Sequence, residues 1–233
     1  VGLAVWASLS VVAAVVWYIA TRGRRRAAPE PAGVKVSVPG LWRSGIAWCL
    51  AAIMGAQAAA YYIMTTWLPT LLVDVADVDL RVAGVGQAVF QGMGIVGTLL
   101  VSVLVQVRPS QVWLAGAIAT GWVILPVGLL AWPAAWPLWT FVGGIAQGAG
   151  IAFALTLVVL RSRDSATANG LSAMTQLVGY LIGAAGPLAV GVLYELTDSW
   201  SVPAMVMIVL AVSIAIAGTV AGRPVTVDAR SGG

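Results

Sequence analysis

The chain has 233 residues, 61% of them hydrophobic and 9% charged, with a mean hydropathy of +0.98. Soluble domains carry about 25% charged residues, so a water-facing enzyme or nucleic-acid binder is excluded. The absence of histidine and the single cysteine, Cys49, exclude internal disulfides, Cys/His zinc sites and a Ser–His triad. This is the composition of an integral membrane protein.

A helix crosses the hydrocarbon core of about 30 Å with about 20 apolar residues. Seven such runs lie between the charges, at about 1–20, 44–72, 82–106, 111–131, 137–160, 168–194 and 200–222. None has a charge in its middle. The first resembles a signal peptide in length, but Arg22, Arg24, Arg25 and Arg26 follow it instead of preceding it, which is a stop-transfer order. The chain opens on Val1 instead of Met, and a fragment of a longer protein is expected.

Threading seven spans back and forth sorts the basic residues. Those of the 21–43 loop (Arg22, Arg24, Arg25, Arg26, Lys35, Arg43) fall on one side with Arg108, Arg161, Arg163, Arg223 and Arg230. Only Arg81 falls opposite, a split of eleven to one. Basic loops stay cytoplasmic, so the expected N-terminus is outside and the C-terminus inside. Asp74, Asp77, Asp79, Glu195 and Asp198 are then external, and Trp67, Trp132, Trp136 and Trp200 are expected to form an interfacial belt.

The glutamines distinguish the spans. Gln57 lies in the second, Gln87 and Gln91 in the third, Gln147 in the fifth and Gln176 in the sixth, while the interiors of the first, fourth and seventh have none. Gln57 and Tyr61, Gln87 and Gln91, and Gln176 and Tyr180 are each four apart, so each pair shares one helix face. Two readings follow: a neutral hydrogen-bonding cavity between four helices, or interhelical hydrogen bonds worth about 0.6 kcal/mol each. Gly144 with Gly148 and Gly179 with Gly183 are GxxxG pairs that suit close packing, and Gly186-Pro187 reads either as packing or as a hinge.

Other motifs are set aside. The GxGxxG match from Gly92 to Gly97 sits inside a span without the strand and acid that dinucleotide binding needs, and reads as packing. No P-loop is present, so no ATP hydrolysis is expected, and no acid lies mid-span to relay protons. Cys49 reads as a small core hydrophobe. No catalytic residue, cofactor or metal is expected.

Two blocks carry a family resemblance. The first is Gln57-Ala58-Ala59-Ala60-Tyr61-Tyr62 through Thr66-Trp67-Leu68-Pro69. The second runs from Gly170-Leu171-Ser172-Ala173-Met174-Thr175-Gln176 through Val178-Gly179-Tyr180 and Gly186-Pro187 to Leu196-Thr197-Asp198-Ser199-Trp200. Both resemble the cyanate/2-nitroimidazole transporter family of the major facilitator superfamily. The loop that often carries a relic of that superfamily's charged signature keeps only Arg108.

The resemblance implies an all-α membrane fold with alternating access. Residues 1–20 would be the last helix of an N-terminal bundle and 21–43 a cytoplasmic inter-domain loop. Residues 44–222 would form the C-terminal six-helix bundle and 223–233 a cytoplasmic tail. It implies a secondary carrier in the cytoplasmic membrane for a small polar or weakly anionic solute such as cyanate or a nitro-heterocycle. The expected partner is the missing N-terminal bundle, and the expected site is Gln57, Tyr61, Gln87, Gln91, Gln147, Gln176 and Tyr180, with Gly186 and Pro187 as hinge. A non-transporting half-carrier remnant and a seven-helix receptor stay open as alternatives.

Overall fold

The computed structural model describes residues 2–22 and 38–227, apart from the side chains of residues 2–7, 9, 38 and 39. Arg24, Arg25, Arg26, Lys35 and Arg230 lie outside these residues, as does most of the 21–43 loop. The chain divides into two units, 1–35 and 36–233.

The first unit holds one helix, α1 (Gly2–Thr21). Its end is closed locally: Thr21 Oγ1 donates to the Trp17 carbonyl at 2.8 Å, and the Arg22 guanidinium lies 5.0 Å from the centre of the Tyr18 ring. The helix has 20 residues and is apolar over the stretch Ser10–Thr21.

The second unit is helical throughout its described length. It comprises α2 (Val38–Arg43), α3 (Gly45–Ala76), α4 (Leu80–Leu104), α5 (Val112–Ala131), α6 (Trp136–Leu160), α7 (Ser165–Thr197) and α8 (Ser201–Ala221), with a 3₁₀ turn at Pro133–Ala135. Six helices among the described residues are long and apolar enough to cross a membrane, where seven spans were expected. The expected 21–43 loop also closes on a short helix, α2, which stops at Ser44 because that side chain caps the start of α3.

Capping explains the remaining boundaries. Asp79 and Asp164 accept the backbone N–H of Val82 and Thr167 at 2.9 and 2.7 Å, starting α4 and α7 a few residues before the apolar runs do. Asp77 and Asp198 adopt φ of 50° and 46° and end α3 and α7 in the left-handed conformation, which a short polar side chain tolerates better than most. Their polar caps let these two helices run to 32 and 33 residues.

Packing is pairwise. α3 lies chiefly on α7, α4 on α6 and α5 on α8, with α3 and α6 the most enclosed of the long helices. Two GxxxG pairs permit close approaches. A Cβ at Gly148 would collide with the Gly94 carbonyl across the α4–α6 seam, and one at Gly183 would stand 2.9 Å from the Ala58 methyl across α3–α7. Gly94 also shows that the Gly92–Gly97 run serves packing. Phe90, Trp122 and Phe153 fill the centre, each fully buried.

The antiparallel order gives this unit two unlike ends. Arg43, Arg108, Arg161, Arg163 and Arg223 stand at one, with Asp164; Asp74, Asp77, Asp79, Glu195 and Asp198 stand at the other, with Arg81. At the acidic end Trp132 is 63% exposed, as a belt residue should be, but Trp200 is 8% exposed. Trp200 is no open belt residue: its indole N–H donates to Asp74 at 3.0 Å and its ring packs on Tyr194 and Trp67. Three helices converge there, so the indole is spent between them.

At the basic end Arg161 is 4% exposed and does more than mark topology. Its guanidinium donates to the Ala221 carbonyl at 2.7 Å and to Gln111 Oε1. The Gln111 N–H donates to the Gly222 carbonyl at 2.7 Å, and the Val227 N–H to the Arg161 carbonyl at 2.8 Å. The α4–α5 turn, the end of α6 and the segment after α8 are thereby joined. Burial lowers the Arg161 pKa from its ordinary value, and carbonyl dipoles replace the lost water.

Candidate functional site

Helices α3, α4, α6 and α7 line an open-sided cavity of about 320 Å³. α3 contributes Gln57, Ala58, Tyr61 and Tyr62, α4 contributes Gln91, α6 contributes Gln147 and Ile151, and α7 contributes Tyr180. The helical repeat explains the choice: residues four apart on α3 and α6 face the same way. The Tyr61 and Tyr62 rings lie 5.4 Å apart at 53°, forming an aromatic wall. No lining residue carries a formal charge.

The polar groups are not equally free. Gln57 is 1% exposed, and both ends of its amide are engaged. Its Nε2 donates to the Gln147 carbonyl at 2.8 Å, and its Oε1 accepts the Trp122 indole N–H at 2.8 Å. One side chain therefore links α3, α5 and α6 while its edge borders the cavity. The Gln91 amide reaches the Tyr61 hydroxyl over a long 3.4 Å, a weak bond that a better partner can replace. The side chains of Gln147 and Tyr180 make no hydrogen bond to the described residues, and Tyr180 is 44% exposed.

Gln87 and Gln176 do not line the cavity. Gln176 lies one turn of α7 toward the basic end from Tyr180, and its Nε2 donates to Ser172 Oγ at 2.6 Å. Gln87 lies one turn of α4 toward the acidic end from Gln91, and its Nε2 donates to the Thr65 carbonyl at 3.4 Å. Gln87 Oε1 and Thr65 Oγ1 are buried without a partner among the described residues. Tyr61 with Gln91 and Thr65 with Gln87 are thus successive rungs across the α3–α4 seam.

Gly186 and Pro187 sit in an unbroken α7. Proline has no N–H, so the Gly183 carbonyl loses its usual helical partner. The Trp67 indole N–H donates to the Pro187 carbonyl at 3.0 Å and pins this point of α7 to α3.

Residue reading did not single out Tyr62, Thr65 or Ile151. Thr65 was within reach, because 57, 61 and 65 continue one stripe at intervals of four. Tyr62 lies about 100° round the helix from Tyr61, and only the crossing of α7 at Gly183 brings it to the cavity. Ile151 is an apolar residue in an apolar helix and carries no signal of its own. Among the described residues no cluster of His, Cys, Asp or Glu is placed to hold a metal.

Residues 1–184 match the Major Facilitator Superfamily. The chain is 33% identical over 220 residues, 94% of its length, to YycB, an uncharacterized transporter of Bacillus subtilis (strain 168). It is also 33% identical over 184 residues, 79% of its length, to the 2-nitroimidazole transporter of Escherichia coli (strain K12). These matches cover 54% and 47% of the two proteins, so the chain spans about half the length of the curated relatives it matches.

Proposed function

The chain belongs to the major facilitator superfamily, and we propose that it forms the C-terminal half of a secondary active carrier for a small polar or weakly anionic solute. In this reading α1 is a seventh span, the last helix of the N-terminal bundle, and the 21–43 segment is the inter-domain loop. Residues 44–222 are the C-terminal bundle and 223–233 its tail. The basic end faces the cytoplasm of a bacterial inner membrane, following the retention of positive charge on that side.

One observation carries the reading: amide and phenol groups from four helices converge on one uncharged cavity of about 320 Å³. Interhelical bonding accounts for Gln57 but leaves the Gln147 amide and the Tyr180 hydroxyl without a hydrogen-bond partner among the described residues. Gln147, Tyr180, Tyr61 and Gln91 touch the solute, and Gln57 holds the wall behind them. Gln87 and Gln176 lie along the path on either side.

The lining selects the solute by hydrogen bonding and by the Tyr61–Tyr62 wall, against which a flat molecule stacks. A nitro-heterocycle meets both terms and cyanate the hydrogen-bonding one alone, and the similarity to a 2-nitroimidazole transporter supports the heterocycle. The least enclosed spans, α4 and α7, flank the cavity with exposed Ile95, Leu99, Leu181 and Leu188. The N-terminal bundle rests on these apolar flanks and supplies the opposite wall. α7 flexes about Gly186 and Pro187 as access alternates.

The test is transport of radiolabelled cyanate and 2-nitroimidazole in cells expressing the carrier, with membrane abundance measured in parallel. Gln147→Ala and Tyr180→Phe should each cut transport about tenfold or more, the loss of one buried hydrogen bond to a bound solute, at unchanged abundance. Wild-type rates for both substrates in both variants would remove these residues from the site.

A further inference from the structure

A second concavity, of about 210 Å³, lies on the other side of α4 and is wholly apolar or small in lining. α4 and α5 each pack on α6 but barely on each other, so a groove stays open between them. Leu104 and Leu114 form its basic-end mouth, Ala117 and Gly121 continue one wall, and Ile145 and Ala149 form the floor. From Leu114 to Gly121 the groove runs about 10 Å along α5 at 1.5 Å per residue, from the level of the basic loops toward the middle of the bundle.

The turn that bridges the two walls carries Arg108. Its backbone is held, because Gln111 Nε2 donates to the Arg108 carbonyl at 2.9 Å and Gln111 is itself gripped by Arg161 and Gly222. Its exposed guanidinium has no hydrogen bond or ion pair with the described residues. Arg223, also exposed and unpaired among them, follows Gly222, whose carbonyl accepts the Gln111 N–H. An apolar groove ending at the level of the basic loops, beside two exposed cations without an ion partner among the described residues, matches a phospholipid in both parts.

We propose that this groove binds an anionic phospholipid, with an acyl chain between α4 and α5 and the headgroup on Arg108, assisted by Arg223. The buried Arg161–Gln111 clasp holds the turn in place, so little ordering is left to be done on binding. Basic residues between membrane helices hold anionic headgroups in this way, and each contributes about a fivefold preference.

The experiment counts bound lipid by native mass spectrometry on the purified protein in detergent, titrated with phosphatidylglycerol or phosphatidylethanolamine. Wild type should retain phosphatidylglycerol about fivefold more tightly or better. Arg108→Gln, a surface change that leaves the fold intact, should lower that preference about fivefold. Ala117→Trp should fill the groove and weaken retention of both lipids. Equal retention by wild type, or an unchanged preference in Arg108→Gln, overturns the proposal. So does detergent that neither lipid displaces. Ala117→Trp turning a dimer into a monomer with lipid retention unchanged would assign the groove to a second copy of the chain instead. Lipid retention is read without any transported solute, so it stands or falls separately from the carrier function.

Discussion

The indole N–H of Trp122 donates to Oε1 of Gln57 at 2.8 Å, joining a helix that does not reach the cavity to one that forms its wall. Trp122 is fully buried and packs on Phe90, with ring centres 6.3 Å apart. The position of the Gln57 amide is thus set from behind the site, by α5.

Trp122→Phe should keep the packing and orphan one buried oxygen. A buried acceptor left without a donor costs about 1–3 kcal/mol, so thermal unfolding in detergent should show a clear drop. Gln57→Ala should behave alike, because it strands the Trp122 N–H and frees the Gln147 carbonyl. Gln147→Ala should leave the melting temperature nearly unchanged. If Gln57→Ala melts like wild type, its amide does not join the helices.

Gly148→Val tests the α4–α6 seam. Its Cβ would meet the Gly94 carbonyl, which is rigid backbone, so the helices must separate. Overpacking of this kind costs about 1–3 kcal/mol, and separation also removes the bond from Thr98 Oγ1 to the Gly148 carbonyl. Reduced membrane abundance and a lower melting temperature are the expected readouts. A fully stable Gly148→Val protein would contradict the close approach.

Arg161→Ala should loosen the basic end. It leaves Gln111 Oε1 and the Ala221 carbonyl without their donor, at about 1–3 kcal/mol for each buried group. Arg161→Lys should not restore the loss, since an ammonium cannot present the two N–H groups of a planar fork. Hydrogen exchange at Gln111 and proteolysis after Gly222 should both accelerate in each variant. Wild-type protection in Arg161→Ala would show that the clasp contributes nothing.

Trp67→Phe removes the pin between α3 and the Pro187 carbonyl. A single such bond contributes about 1 kcal/mol, a modest loss in overall stability. The local effect should be larger: amides just after Pro187 should exchange faster while the rest of α7 keeps its rate. Uniform exchange along α7 would remove Gly186 and Pro187 as a hinge.

Much of this protein was legible from pattern alone. Apolar runs between charges locate the long helices of the second unit, because hydrocarbon admits only segments that satisfy their own backbone. The ends shift by a few residues where Asp79, Asp164 and Asp198 cap, since a cap is a local hydrogen bond and hydropathy does not register it. The interval of four between Gln57 and Tyr61, and between Gln87 and Gln91, shows which faces are polar because the helical repeat is fixed.

Tertiary structure alone decided what each polar group does. Spacing cannot tell a glutamine that feeds its amide to a neighbouring helix from one that leaves it open, since both sit on the same kind of face. Gln57 is committed because Trp122 and the Gln147 carbonyl arrive from 65 and 90 residues away. The Gln147 amide lies against Gly94, where a Cβ would collide with it, and meets no hydrogen-bond partner among the described residues. Arg161 reads in sequence as one more basic loop residue, yet the ends of three segments fold over it and exclude water. Burial and partner are properties of the packed bundle, and they separate wall from contact.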